Sequence, residues 1–257
     1  MPEFVVVGES EADTRMTCEL ADRVFYEDGP EWVREQEQTW FISRVLPGMR
    51  TWAGMKPGTP FTRWAEIPAL GKAFPKLSFL TRPEGRKQKP DYAAARKAIL
   101  LTALLRKDKL PDALILVRDL DHQEERREGL AEAREDEAGG PFIVIPATPN
   151  PKREAWVLNG FVCDDEREGQ KLESLRQKLG FDPCLAAERL RYSSGTSQPE
   201  RDPKRILGRL TGGDFNREQR CWAETTLAIL RERGEKTYLK EFLDEVKGPL
   251  LLLLYRS

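Results

Sequence analysis

Ala113-Leu114-Ile115-Leu116-Val117 runs without a polar residue straight into Arg118-Asp119-Leu120-Asp121. Five consecutive apolar residues, preceded by a turn-forming stretch over 107–111 and closed by charge, predict a short strand buried on both faces. A second run of the same kind opens the chain: Phe4-Val5-Val6-Val7 enters Gly8-Glu9-Ser10-Glu11. If the two runs are neighbours in a parallel sheet, Glu9, Asp119 and Asp121 leave it at the same edge. Asp119 and Asp121 are two apart, so an extended backbone points them the same way. Three carboxylates at one point repel unless a cation lies between them. The pattern therefore predicts a divalent metal and, with it, a reaction on phosphate. Hard oxygen donors of this kind suit Mg²⁺ or Mn²⁺. The plainer reading is that such acids simply cap the following helices.

The segments between these runs alternate in type. Residues 12–26 read as a helix with Met16, Leu20, Val24 and Phe25 near one face. Residues 91–106 read as a helix capped by Asp91, with Ala95, Ile99, Thr102 and Leu105 or Leu104 along one stripe. A charged helix over 123–138 and a third strand over 142–145 follow. Strand, helix, strand, helix, strand argues for βαβ units and a parallel sheet flanked by helices. Trp40-Phe41-Ile42 is read as the entry to a further strand, 47–75 as a long irregular excursion, and 76–80 as a short strand.

Beyond residue 160 the character changes. Helices are expected over 153–160, 164–179, 203–210, 216–233 and 236–246, with a mobile Ser/Gly/Pro-rich loop over 192–202. The expected organisation is an α/β domain over 1–160 and a mainly helical C-terminal region over 161–257, packed on the first.

Composition narrows the classes. The 257 residues carry a formal net charge of -1, so nothing global argues for a polyanion or a membrane. Locally, the stretch 82–109 holds nine Lys/Arg against three acids, enough to contact phosphates or merely to form an exposed helix face. The aromatic and basic residues from Arg50 to Trp64 invite the same two readings, stacking on bases or ordinary packing. Cys18, Cys163, Cys184 and Cys221 show no CxxC spacing and are read as free thiols of a cytoplasmic protein. No signal peptide is read before Phe4, and the longest apolar run, 249–255, is too short to span a bilayer. The single His122 leaves no His-rich metal site and no Ser-His-Asp triad. No Walker A loop is present, so ATP hydrolysis by this chain alone is not expected.

At this point the motifs resemble a family. A Glu after the first strand and a distant Asp-x-Asp after another resemble the TOPRIM fold of topoisomerases, bacterial primases and overcoming-lysogenization-defect nucleases. Gly8-Glu9-Ser10-Glu11-Ala12-Asp13 more closely resembles the opening of the small TOPRIM-like proteins of bacterial anti-phage loci. Pro151-Lys152-Arg153-Glu154-Ala155-Trp156 resembles their Glu-Ala-Trp element, and Asp202-Pro203-Lys204-Arg205-Ile206-Leu207 their Pro-Lys-x-x-Leu element. The marks span residues 4 to about 210.

The resemblance implies a Mg²⁺- or Mn²⁺-dependent nuclease acting in antiviral defence, with an ABC- or AAA-type ATPase as partner. It implies Glu9, Asp119 and Asp121 as metal-binding and catalytic residues and Lys204 as a catalytic cation. Glu11, Asp13, Lys152 and Glu154 are accessory candidates. DNA is favoured over RNA as the substrate, and a homo-oligomer is compatible with the chain. Gly8 precedes Glu9 where many TOPRIM proteins have Gly after the Glu. That departure keeps open a non-catalytic TOPRIM-like subunit that binds and regulates the ATPase. A haloacid-dehalogenase-like phosphatase is disfavoured, because its Asp-x-Asp ends the first strand and here the motif follows residue 110. Trp156 is read as core rather than as a base-stacking platform.

Overall fold

The computed structural model describes residues 1–75, 77, 88–191 and 199–255. The chain forms two compact units, each built from separated segments. The first contains Met1–Arg118, Gln123–Ala147 and Glu245–Ser257; the second contains Asp119–His122 and Thr148–Asp244.

The first unit is an α/β sheet structure. Its strands are β1 (Glu3–Gly8), β2 (Thr51–Ala53), β3 (Thr62–Arg63), β4 (Ala113–Val117) and β5 (Ile143–Ala147). All pairs are parallel, in the order β2-β1-β4-β5, with β3 also on β1. Val7 pairs with Leu116 on one side and Thr62 on the other, so β2 and β3 are two pieces of one interrupted edge.

Both predicted strands are completely buried. Val5, Val7, Leu114 and Leu116 pack with Ala95, Ile99 and Leu101 of α2 (Tyr92–Leu105) and with Leu130 and Ala133 of α3 (Glu124–Asp136). Phe4 points to the other face, 5.8 Å from the ring of Phe25 on α1 (Glu11–Glu27). Each apolar side chain removed from water in this way contributes about 1.5–3 kcal/mol. Helices cover the sheet on both faces, as continuous apolar strands require.

Several expectations are corrected. Residues 41–45 form a π-helical turn, with Phe41 buried, rather than a strand. The excursion 47–75 supplies β2 and β3, strands too short for period-two patterning to reveal. Asp91 does not cap α2: it lies in the left-handed region (φ 61°) and makes no capping bond. Leu105 packs on the core whereas Leu104 is exposed. The strand expected over 76–80 lies outside the described residues apart from Leu77, and so does 192–198 of the predicted loop.

The second unit is helical: α4 (Arg153–Asn159), α5 (Glu166–Leu179), α6 (Pro203–Thr211), α7 (Phe215–Ala223), α8 (Leu227–Arg233) and α9 (Leu239–Glu245), which ends at the boundary with the first unit. The helix expected over 216–233 is two helices, because Thr226 caps a new one by accepting from Ile229 N. The helix expected over 236–246 begins at Leu239, after Tyr238 takes a positive φ of 64°. Trp156 is buried and stacks on Phe242 at 5.4 Å, with its Nε1 donating to Thr237 O. Thr237 Oγ1 in turn donates to Asn159 Oδ1 at 2.6 Å. A buried ion pair sits nearby: Arg217 donates twice to Glu168 at 2.8 Å and lies 4.6 Å from the centre of the Phe161 ring.

The four cysteines are unbonded, and burial pushes the Cys221 thiol up to about 12. Among the described residues no helix is long and apolar enough to cross a membrane.

Candidate functional site

In α/β sheets ligands bind beyond the carboxyl ends of the strands. In the first unit, β1 and β4 are adjacent and parallel, so their carboxyl ends share one edge. Gly8 closes β1 where a Cβ would lie 2.4 Å from Thr14 Cγ2, so the start of α1 can pack against the strand end only over a glycine. Ser10 then caps α1: its Oγ accepts from Asp13 N and donates to Asp13 Oδ2 at 2.7 Å. Asp13 is thereby held in the cap and buried, while Glu11 is exposed on the first turn.

Glu9 stands between the strand and the cap. Arg118 Nη1 donates to its Oε1 at 2.9 Å. The same guanidinium grips Asp91 with Nε and Nη2, at 2.9 and 3.1 Å. Arg126 Nε lies 3.6 Å from Asp91, and the Trp64 ring lies 5.8 Å from the Arg118 guanidinium carbon. Trp64 is itself fixed by donation from Nε1 to Val117 O at 2.6 Å. Asp91, Arg118 and Arg126 are not among the site residues the sequence suggests, and Trp64, one end of the stretch offered for base stacking, is engaged by Val117 O and Arg118. Arg118 lay inside the quoted motif, but nothing local in the sequence ties it to residues 9 and 91. Elsewhere in the aromatic-basic stretch Arg50 and Trp52 both donate to Asp22, whereas Lys56 and Arg63 are exposed.

The second unit holds the other acids. Leu120 N donates to Pro149 O and Asp121 N to Pro151 O, fastening 119–122 alongside 149–151, with Leu120 fully buried. Asp119 Oδ1 accepts from Arg153 N at 3.0 Å, at the start of α4. It therefore serves a helix more than thirty residues downstream instead of the one that follows it. Asp121 has a φ of 50°, so the extended geometry assumed for Asp-x-Asp ends at Leu120. Its Oδ1 nevertheless lies 3.4 Å from Lys152 Nζ. Both acids thus reach the Lys152-Arg153 step. Glu154 is 3.7 Å from Arg153, which also pairs with Glu218 at 3.2 Å. His122 Nε2 contacts Leu190 O at 2.6 Å. Lys204 is exposed on the first turn of α6.

Among the described residues no three His, Cys, Asp or Glu side chains gather at metal-holding spacing. The carboxylates are instead turned toward cations and an N–H group: Glu9 to Arg118, Asp121 to Lys152, Asp119 to Arg153 N. Ligation of an ion by Glu9 or Asp121 competes with those pairs for the carboxylates. No family model, curated protein or solved structure matches the chain.

Proposed function

We propose that this chain is a divalent-metal-dependent nuclease of the TOPRIM-like kind, hydrolysing phosphodiesters of nucleic acid in anti-phage defence together with an ATPase partner. The observation that supports the reading is the parallel pairing of β1 with β4, each followed at once by acidic residues of its motif. The donors fit a hard cation: Glu9, Asp119 and Asp121 offer only carboxylate oxygens, and the single His122 is engaged by a carbonyl. Mg²⁺ or Mn²⁺ bound to such donors would supply an acidified water and a counter-charge for the phosphate oxygens.

The chain's own residues have separate tasks in this reading. The Arg153 N–H orients Asp119. Lys152 holds Asp121 and carries a cation next to it, positioned to offset phosphate charge. Arg118 orients Glu9, which would be one of the residues holding the ion. Lys204, exposed on α6, is assigned to substrate charge.

A second reading has one observation in its favour. Glu9 and Asp121 are already compensated by Arg118 and Lys152, as in purely structural ion pairs. The chain would then be a non-catalytic subunit regulating the ATPase.

The test is a Mg²⁺ and Mn²⁺ titration on plasmid DNA and on RNA, with and without any ABC- or AAA-type ATPase whose gene neighbours that of this chain. Cleavage by the wild type that disappears in Asp119→Ala and in Glu9→Gln is the expected result. Equal cleavage by those variants, or none under any metal with the partner present, rejects catalysis.

A further inference from the structure

On the second unit, α5 and α6 pack side by side and leave between them an open groove of about 650 Å³. Arg167, Lys171 and Lys178 of α5 and Arg209 of α6 line it, and among the described residues no acid does. All four side chains are exposed. The pattern follows from helix geometry. At 100° per residue, 167, 171, 174 and 178 fall in one narrow stripe, whereas Glu166 and Glu173 lie more than about 100° from its centre. Three of the helix's four cations therefore face the groove, while Arg176, on the opposite side, pairs with Asp182. Gln170 and Ser174 add neutral donors along the same line. Lys171 Nζ lies 3.4 Å from Leu210 O near the carboxyl end of α6, and Lys178 pairs with the exposed Glu200 at 3.0 Å. The latter is a solvated contact that a stronger anion displaces at little cost.

We infer that this groove binds the phosphodiester backbone of nucleic acid. From Arg167 to Lys178 the helix rises about 16 Å, the axial length of about five base pairs of duplex at about 3.4 Å each. Arginine forks, lysines, a hydroxyl and an amide in a row are the donors that contact phosphates, and they carry no base specificity. The groove presents no exposed aromatic or apolar anchor of the kind that dominates protein–protein interfaces, which disfavours an acidic protein as the occupant. The inference rests on nucleic acid as the substrate of the proposed activity but needs no hydrolysis. It assigns the binding track to residues outside the acidic motifs.

The test is anisotropy of a labelled 20-nucleotide duplex in EDTA, titrated with the full chain from low to moderate NaCl. The variant Arg167→Gln/Lys171→Gln/Lys178→Gln/Arg209→Gln should weaken binding more than about tenfold. It should also flatten the slope of log affinity against log salt by about 3–4, at roughly 0.9 per phosphate contact. The pair Lys171→Gln/Arg209→Gln should take about half of that. Glu166→Gln/Glu173→Gln, on the far side of the same helix, should leave the slope unchanged, with circular dichroism reporting that each variant is folded. No binding by the wild type, an unchanged slope in the quadruple variant, or displacement by polyglutamate as effective as by unlabelled duplex overturns the inference. If the quadruple variant binds normally while Asp119→Ala abolishes cleavage, the groove is refuted and the nuclease reading stands. If the quadruple variant loses binding while the wild type cleaves under no metal, the reverse holds.

Discussion

Arg118→Met separates a metal ligand from a structural carboxylate at residue 9. Arg118 Nη1 holds Glu9 Oε1 at 2.9 Å, with the two side chains 23% and 36% exposed. A single charge-assisted contact at such half-exposed groups is worth about 1 kcal/mol, since solvent screens much of it. If Glu9 must leave Arg118 to ligate an ion, that energy is subtracted from metal affinity. Removing the guanidinium should therefore tighten Mn²⁺ binding about fivefold, because about 1.4 kcal/mol is a factor of ten. Neutralising a nearby cation also favours metal through space, so the variant alone does not decide the matter. The decisive measurement is a cycle by calorimetric Mn²⁺ titration of the wild type, Arg118→Met, Glu9→Gln and the double variant. The gain should shrink to its through-space part in the Glu9→Gln background. Arg126→Met, which removes a cation 3.6 Å from Asp91 in the same cluster, should give a smaller gain. An equal gain with and without the Glu9 carboxylate, or no gain at all, would refute the reasoning and leave the Arg118–Glu9 pair structural. The titration belongs well below the melting temperature, because Asp91 loses its two-pronged partner in the same variant.

Asp119→Asn keeps an oxygen to accept from Arg153 N and should leave thermal stability unchanged while abolishing cleavage, whereas Asp119→Ala should cost about 1 kcal/mol as well, as a lost helix cap does; melting curves and the plasmid assay read the two effects separately. Hydrogen bonding from Arg217 holds the Glu168 carboxyl below its usual range, so this pair stabilises the second unit at pH above the ordinary Glu value and loses that contribution as pH falls through the depressed one. Glu168→Gln should accordingly cost about 1–2 kcal/mol at pH 7, because it removes one of two carboxylates on a buried guanidinium and leaves Asp164 at 3.1 Å, and should flatten the acid limb; hydrogen exchange of α5 and α7 at pH 7 and pH 4 measures both. Gly129→Ala places a Cβ 2.0 Å from Pro90 O and 2.9 Å from Tyr92 N, which only a backbone shift relieves, so urea unfolding should show a loss of about 2–3 kcal/mol.

The sheet and its flanking helices were legible because burial leaves a local signature. Ala113–Val117 appears with its predicted bounds and Glu3–Gly8 within a residue or two, since a strand covered on both faces must be continuously apolar. Helix 11–27 was equally plain from Met16, Leu20 and Val24, which recur once per turn and are all buried. The adjacency of β1 and β4, expected from alternation of strands and helices, is present.

What remained hidden depends on partners far away in the chain. Strands of three and two residues leave no period to read, so β2 and β3 exist only because β1 has an open edge for them. Asp91 has the composition of a helix cap, yet its carboxylate bonds Arg118, and this tertiary pair prevails over the local one. The candidate acids could be named from sequence, but their present partners could not: Glu9 meets Arg118 and Asp119 meets the Arg153 N–H across gaps of 109 and 34 residues. Apolar patterning acts between residues a turn or a pleat apart and is written into neighbouring letters. Hydrogen bonds and ion pairs are settled at about 3 Å in space, and only the folded chain decides which groups come that close.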